Sequence, residues 1–225
     1  MDDKLLEIQG RIQKAAEAAG RAPEDIQLIG VSKTVDAERI NAMIDRGLAR
    51  IGENRVQELL SKLPELHPVE VHLIGQLQSN KVHQIVDKVA LIHSLDRLSL
   101  MEEIQRQAAK RDIVMPVLIE INIGREQTKG GLMEEDLPAF LDRVVDCPNL
   151  EVRGLMCIAP PVADPEAARP YFTRMRELAE GIRGQHDSRI QMAHLSMGMS
   201  HDFEAAIREG ATMVRVGRAL FGARA

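Results

Sequence analysis

The sequence predicts an α/β fold, a single (β/α)8 TIM barrel domain that occupies residues 1–225. Eight short apolar runs alternate with segments of helical periodicity, and the connections between them are short. Such alternation requires a parallel sheet, and eight units are the number that closes one into a barrel. The 225 residues fit this fold, because these barrels commonly take about 200–250 residues as one domain. An open doubly wound sheet is the alternative, but no glycine-rich turn follows the first strand to indicate a dinucleotide.

The strands are expected where aliphatic residues cluster between polar or glycine-containing turns. Their starts lie near residues 26, 48, 69, 89, 115, 150, 190 and 212. An extra helix precedes the first strand, because apolar residues recur at helical spacing between Leu5 and Ala19 before Gly20 and Pro23 end it.

The segments between the strands predict helices with recognisable starts and stops. Asp36 can cap the helix after the first strand, and Gly47 closes it. Residues 196–200 are expected to form a small polar loop after the seventh strand, ahead of a helix that begins at about His201. Gly210 closes that helix, and the eighth strand follows.

Composition narrows the class of protein. The formal net charge of −5 gives no electrostatic reason to bind a nucleic acid or an anionic membrane. Cys147 and Cys157 lack CxxC spacing, which favours a reducing compartment. Residues 1–4 are acidic and do not resemble a signal segment, and no apolar run reaches the roughly 20 residues that span a bilayer. The expectation is a soluble, monomeric protein of the cytoplasm.

The residue most suggestive of chemistry is Lys33, which lies two positions beyond the last apolar residue of the first strand. In a barrel, the carboxyl ends of the strands carry the functional groups. An amine that is partly desolvated there could have its pKa lowered from about 10.4 towards neutrality and form a Schiff base with a carbonyl compound. The alternative is an ordinary solvated lysine.

The turns after strands seven and eight predict a phosphate site. Ser196, Gly198 and Ser200 offer hydroxyls and an uncrowded backbone, and Gly217 lets the chain approach a ligand closely. Barrels commonly bind phosphate after these two strands, and helix N-termini attract anions. Ordinary loop composition is the competing interpretation.

Arg215 lies within the apolar eighth strand, and a buried guanidinium needs a partner. That partner is either a barrel carboxylate such as Glu120 or an acceptor on a ligand. An aldehyde-reactive lysine, a phosphate site and a buried arginine together suggest pyridoxal 5′-phosphate (PLP).

Six motifs carry a resemblance to a known family. They are GVSKT (residues 30–34), GENRVQE (52–58), HLIGQLQSNK (72–81), GLM (154–156), LSMGMS (195–200) and VRVGRALFG (214–222). In order and over nearly the whole chain, the sequence resembles the pyridoxal phosphate homeostasis protein family. The resemblance implies a PLP-binding barrel similar to the N-terminal domain of alanine racemase.

The resemblance also implies residue roles. Lys33 would hold the cofactor as a Schiff base, and Arg215 would face the pyridine nitrogen. The phosphate of the cofactor would be held by Ser196, Ser200, Gly217 and Arg218. The cofactor would also be lined by Asn54 and Ile74. The sequence departs from the family at Arg55 and Val71, usually aromatic positions, which predicts an altered rim.

Two functional classes follow from these residues. The first is a carrier that buffers PLP for vitamin B6 homeostasis and passes it to PLP-dependent apo-enzymes. The second is a PLP enzyme of narrow specificity, such as an amino-acid racemase, which needs a second base besides Lys33. In alanine racemases that base is a tyrosine from a separate C-terminal domain, whereas Tyr171 here lies in a helix and the barrel ends near Ala225. A permanent cation at the pyridine nitrogen also weakens the cofactor as an electron sink, which favours the carrier.

Several other residues keep alternatives open. The candidates for a second base are His72, His93, Cys157 and His201. A metal-dependent hydrolase using His72, His93 and His194 is disfavoured, because no HxH or HExxH spacing supports it. Lys129 is a candidate second lysine at the rim, although a solvated loop lysine is the default.

Overall fold

The computed structural model describes residues 4–184 and 188–222. In this part of the chain, eight parallel strands form a closed barrel in sequence order, with the first strand paired to the last. The strands are β1 (Gln27–Val31), β2 (Arg50–Glu53), β3 (Glu70–Leu73), β4 (Leu91–Leu95), β5 (Met115–Ile121), β6 (Leu150–Cys157), β7 (Ile190–Met199) and β8 (Met213–Val216). Each begins within two residues of its predicted start, so the predicted barrel is confirmed.

Helices lie between the strands and before the first one. Their bounds are α1 (Lys4–Ala18), α2 (Ala37–Ile44), α3 (Val56–Lys62), α4 (Val82–Ile85), α5 (Leu98–Ala109), α6 (Leu137–Val144), α7 (Arg169–Ile182), α8 (Phe203–Arg208) and α9 (Arg218–Phe221). Short 3-10 turns occupy Pro23–Asp25, Leu63–Glu65, Ser79–Lys81, Glu134–Asp136 and Pro165–Ala168. The extra N-terminal helix is therefore confirmed as α1.

Local chemistry explains two of these helices. In α1, Leu5, Ile8 and Ile12 lie on one face and are buried, and that face packs against α8 and α9. In α2, the carboxylate of Asp36 accepts a hydrogen bond of 2.8 Å from the backbone N–H of Arg39, which is the predicted N-cap.

Among the described residues, the core consists mainly of aliphatic side chains together with four phenylalanines, and it forms two clusters. The larger cluster lies between the strands and the helices, as expected when both faces of a parallel sheet are covered. A smaller cluster fills the middle of the barrel and consists of Ile29, Leu91, Leu118, Met156 and Met213. Both thiols, Cys147 and Cys157, are buried and free. Burial raises the pKa of each thiol, that of Cys157 to about 12, so neither is poised to react.

The expected loop at residues 196–200 is wrong, because β7 continues to Met199. The strand passes α8 closely at Gly198, whose φ is +88° and where a Cβ atom would lie 2.6 Å from the Cβ of Ala206. Only glycine accommodates both the backbone angle and this contact. The helix expected near His201 begins instead at Phe203. Helix α9 is an element that the sequence did not predict.

Among residues 4–184 and 188–222, no helix has the length and apolarity that crossing a membrane requires. Residues 1–3 and 223–225, which include the acidic start and the chain end considered above, lie outside the described residues.

Candidate functional site

A cavity of about 340 Å3 opens where β1, β7 and β8 end. Its walls come from the turns after these strands and from α2 and α9. The lining residues are Val31, Lys33, Thr34, Val35, Arg39, Met199, Ser200, His201, Arg215, Gly217, Arg218, Phe221 and Gly222. Four of them are cationic, and none of the lining residues in the described part of the chain is acidic. A concave site with only positive side-chain charge favours an anionic ligand.

Lys33 reaches this cavity from a strained turn. It is half-buried, and the following Thr34 has φ of +62°, a conformation that is uncommon for a β-branched residue. The turn is held by a 3.0 Å hydrogen bond from Val35 N–H to the carbonyl of Ser32. Strain of this kind persists only where the surroundings fix it, and it clusters at functional sites. The lowered pKa expected for Lys33 stays a prediction.

A buried polar cluster supports the Lys33 turn from below. The hydroxyl of Ser32 donates to the carboxylate of Glu53 at 2.7 Å, and Lys62 Nζ donates to the same carboxylate oxygen at 2.9 Å. Lys62 also donates to the carbonyl of Ser32 at 2.9 Å and to Glu58 at 2.7 Å. Glu53 is fully buried, and this burial raises the pKa of its carboxyl group against the opposing effect of Lys62. The backbone next to Lys33 is therefore anchored by a charge pair.

Arg215 forms part of the cavity wall and is only 4% exposed. Its Nη1 donates to the carbonyl and the hydroxyl of Ser196, both at 2.7 Å, and its Nη2 donates to the carbonyl of Cys157 at 2.8 Å. Glu120, the carboxylate proposed as its partner, instead accepts from Gln76 Nε2 at 2.8 Å. Arg215 is thus held by neutral acceptors and keeps its charge available to a ligand.

The ends of β1 and β8 approach each other at Gly217. A Cβ atom at this position would lie 3.2 Å from the Cβ of Val31. The N–H of Gly217 points to Ser200 Oγ at 3.3 Å, so the hydroxyl proton of Ser200 is left to donate elsewhere. Arg218 follows at the exposed rim. This corner therefore offers a hydroxyl and a guanidinium to an anion.

The structure gathers five of the eight predicted binding residues around the cavity. These are Lys33, Ser200, Arg215, Gly217 and Arg218. Ser196 lies beneath Arg215 and is fully buried, with its hydroxyl bonded to the guanidinium and to His93. Its direct contact with a phosphate stays a prediction.

Asn54 and Ile74 follow the ends of β2 and β3 and are outside this lining. Ile74 is buried and packs close to Gly52. Asn54 is half-buried, and its Oδ1 is a buried atom without a hydrogen-bond partner. A buried oxygen without a partner indicates a place for a hydrogen-bond donor. Contact of Asn54 and Ile74 with a cofactor stays a prediction.

The sequence does not identify Arg39 as a residue of the site, and it indicates His201 only as a candidate second base. Arg39 lines the cavity from the first turn of α2, where its Nη2 donates to the carbonyl of Phe221. His201 lines it from the turn after β7. Nothing in the pattern around Arg39 distinguishes it from a solvated helix residue.

The remaining candidates lie away from the cavity lining. His72 and His93 are fully buried inside the barrel, and Tyr171 packs against the outer core. Lys129 is exposed and lies 3.8 Å from Glu126. Within the described residues, no group of three or more His, Cys, Asp or Glu side chains could hold a metal ion.

The predicted alteration of the rim was wrong for Val71, which is buried in the core between sheet and helices. Arg55 is exposed at the start of α3, outside the cavity lining.

Known proteins share this fold. The family described as the alanine racemase N-terminal domain matches residues 5–225. A solved structure of an unknown protein from Bifidobacterium adolescentis is 35% identical, with a TM-score of 0.91 over 97% of this chain and 93% of that one. These matches agree with the alanine racemase-like barrel that the sequence predicted.

Two further relatives carry informative names. A protein of Aquifex aeolicus, 49% identical over 99% of this chain and 97% of its own length, is called pyridoxal phosphate homeostasis protein. PipY of Synechococcus elongatus PCC7942, whose structure was solved with PLP bound, is 33% identical, with a TM-score of 0.81 over 94% of this chain and 100% of that one. The chain belongs to the alanine racemase N-terminal domain family and, within it, to the pyridoxal phosphate homeostasis proteins.

Proposed function

We propose that this protein binds PLP in the cavity at the carboxyl end of the barrel and buffers it for vitamin B6 homeostasis. The single observation that carries the proposal is the convergence of Lys33, Arg215, Ser200 and Arg218 on a cavity whose described lining residues include no carboxylate side chain. The names of the relatives and the PLP-bound PipY structure support it. The chain then works as a single domain, residues 1–225, as a monomer in the cytoplasm, and hands PLP to apo-enzymes.

The residues of the site fit this cofactor. Its dianionic phosphate matches the corner formed by Ser200, Gly217 and Arg218, where a Cβ atom at Gly217 would press on Val31 at 3.2 Å. Buried Asn54 Oδ1 provides an unsatisfied acceptor near the ends of β2 and β3. When bound, PLP supplies an aldehyde that condenses with an amine, and Lys33 is the amine of the lining.

Arg215 supports a carrier over an enzyme. A guanidinium stays protonated, so Arg215 would donate to the pyridine nitrogen of bound PLP and disfavour a proton there. A ring held unprotonated withdraws electrons poorly, which limits the stabilisation of carbanions. The protein therefore retains the cofactor without promoting strong catalysis.

The burial of most candidate second bases also favours a carrier. A racemase needs acid–base groups on both faces of its substrate. Of the proposed second bases, His72, His93 and Cys157 are fully buried, and the thiol of Cys157 has its pKa raised to about 12 by burial. His201 lines the cavity and is the residue on which the racemase alternative depends.

Absorption spectroscopy tests cofactor binding. Purified wild-type protein with added PLP should show a visible band that borohydride reduction abolishes while fixing the cofactor to Lys33, as mapped by peptide mass spectrometry. Lys33→Ala should lack the band, whereas Lys129→Ala, which alters an exposed lysine, should keep it. Absence of a band in the wild type would overturn the assignment of the cofactor.

A separate assay tests the carrier. PLP-loaded wild type and His201→Ala are incubated with L- and D-alanine, and enantiomers are resolved by chiral chromatography. The expected result is no racemisation above free PLP for either protein. Enzyme-like racemisation by the wild type that His201→Ala abolishes would establish the enzyme instead.

A further inference from the structure

A continuous chain of hydrogen-bonded side chains runs through the inside of the barrel, and we call it the barrel relay. It consists of Arg215, Ser196, His93, His72 and Glu70. Arg215 Nη1 lies 2.7 Å from Ser196 Oγ, which lies 3.0 Å from His93 Nδ1. His93 Nε2 lies 2.9 Å from His72 Nδ1, and His72 Nε2 lies 2.7 Å from a carboxylate oxygen of Glu70. The relay therefore joins the cavity wall to the first residue of β3, at the opposite end of the barrel.

The two ends of the relay fix its direction. Arg215 can only donate, and an ionised Glu70 can only accept. Ser196 accepts from Arg215, so its hydroxyl proton goes to His93 Nδ1. His93 Nε2–H then donates to His72 Nδ1, and His72 Nε2–H donates to Glu70. Every link is satisfied when both imidazoles are neutral and carry their proton on Nε2.

Burial and charge keep the His93 imidazole neutral. His93 is fully buried, and this burial is the largest of the causes that hold its pKa well below the usual range. The groups facing it, His72, Arg215 and His194, act in the same direction. His72 is also fully buried.

At the Glu70 end of the relay, the negative charge of Glu70 is balanced by the positive charge of Arg50. The side chain of Glu70 is 43% exposed and also lies 3.3 Å from Arg50 Nε. Hydrogen bonding from His72, ahead of the charge of Arg50, keeps the pKa of Glu70 below its ordinary value. The acceptor at the end of the relay is therefore a carboxylate over the neutral pH range.

We propose that His93 and His72 are positioning residues that hold Arg215 for the cofactor, with Glu70 as their anchor at the opposite end of the barrel. The role depends on the Ser196 hydroxyl. With His93 in place, the proton of Ser196 points away from Arg215 and its lone pairs face the guanidinium. Without His93, the hydroxyl turns freely, and the guanidinium loses a fixed acceptor. This proposal rests on the proposed function only in taking PLP as the ligand that Arg215 meets.

The first test needs no cofactor. Nitrogen NMR of protein labelled with 15N-histidine should show His72 and His93 as neutral Nε2–H tautomers at pH 7. Slow hydrogen exchange of the Arg215 guanidinium in the wild type should become fast in His72→Leu and in His93→Leu. A charged His93, an Nδ1–H tautomer for either residue, or unchanged exchange in both variants would overturn the proposal even if PLP did not bind.

The second test measures PLP binding in variants of relay residues at increasing distance from Arg215. His93→Leu should weaken PLP binding about tenfold, His72→Leu less and Glu70→Leu least. A loosened Arg215 depresses the pKa of the bound chromophore less, so the pH midpoint of the visible band should rise by about half a unit or more in the same order. A merely structural role would lower thermal stability without moving this midpoint.

Glu70→Leu keeps the test decisive if a buried histidine variant fails to fold, because Glu70 is partly exposed. Glu24→Leu is its control, since Glu24 is exposed and precedes β1 at the same end of the barrel. A midpoint and affinity in Glu70→Leu and His72→Leu equal to those of Glu24→Leu would refute the relay. Failure of wild-type protein to bind PLP would instead refute the proposed function, and the NMR measurement would still decide the relay.

Discussion

Lys62 Nζ lies 2.9 Å from Glu53 Oε1, and this contact places a charge pair directly beneath the turn that carries Lys33. The side chain of Glu53 is fully buried, and that of Lys62 is 12% exposed. A buried pair adds little stability compared with a well-packed apolar pair, but removal of one partner leaves an uncompensated charge. The pair therefore fixes the position of the turn more than it stabilises the fold.

Lys62→Met should lower the free energy of unfolding by about 3–5 kcal/mol at pH 8, because it leaves the Glu53 carboxylate buried and unpaired. The loss should be smaller at pH 5. Burial raises the pKa of Glu53, so the folded variant can take up a proton there and avoid the buried charge. Urea unfolding at the two pH values measures the difference.

Lys88→Met is the control, because the pair of Lys88 with Asp87 is exposed and should contribute less than about 1 kcal/mol. The double variant Lys62→Met/Glu53→Gln should recover much of the lost stability. Equal losses at pH 5 and pH 8 would contradict the role of a buried Glu53 charge.

Glu120 should make the fold less stable as the pH rises. Burial raises the pKa of Glu120 to about 7, the negative charge of Asp96 adds to this, and Arg215 opposes it. Since the folded value exceeds the unfolded one, the favourable protonated state is complete below about pH 4.5 and is lost as the pH rises through about 7. In the wild type this effect should lower the free energy of unfolding by roughly 2–3 kcal/mol between pH 5 and pH 8, and Glu120→Gln should abolish that decrease.

The measurement for Glu120 is denaturant unfolding of wild type and Glu120→Gln across this pH range. Glu180→Gln alters an exposed carboxylate in α7 and should leave the wild-type slope unchanged. If Glu120→Gln kept the wild-type pH dependence, Glu120 would have to be ionised in the fold without penalty.

The fold could be predicted from the sequence because short segments of the chain determine each strand and helix. Each strand is a short aliphatic run, and caps such as Asp36 mark where a helix begins. The end of β7 could not be located, because Gly198 looks like a loop glycine until its contact with α8 is seen. The four-residue helix α9 is likewise set by packing rather than by periodicity.

The site was predictable only in part, for a related reason. Lys33 and Gly217 lie at strand ends, which a barrel brings together whatever the register. Contacts inside the barrel depend on register, so the sequence could suggest Glu120 or a ligand as the partner of Arg215 but could not indicate Ser196. The connection of His72 to His93 was invisible, because it requires neighbouring strands to align their inward positions.

Gly217→Ala should weaken PLP binding about tenfold while lowering stability by no more than about 1–3 kcal/mol. The added Cβ would press on Val31 at 3.2 Å and narrow the corner assigned to the phosphate. Gly10→Ala is a matched control, because Gly10 lies inside α1 with nothing within 4 Å of the added atom. That variant should gain about 0.5–1 kcal/mol and keep wild-type affinity. Titration of the visible band and urea unfolding give both quantities, and unchanged affinity in Gly217→Ala would place the phosphate elsewhere.

Arg218→Gln should distinguish recognition of the phosphate from recognition of the ring. A charge-assisted hydrogen bond contributes about 1.5–3 kcal/mol, so loss of the guanidinium should weaken PLP binding about tenfold or more. Pyridoxal, which lacks the phosphate, should bind wild type and Arg218→Gln equally. Inorganic phosphate should compete with PLP in the wild type and less in the variant. Arg143→Gln, on the exposed surface of α6, should match the wild type for both ligands. Equal weakening for PLP and pyridoxal in Arg218→Gln would show that Arg218 shapes the cavity instead of contacting the phosphate.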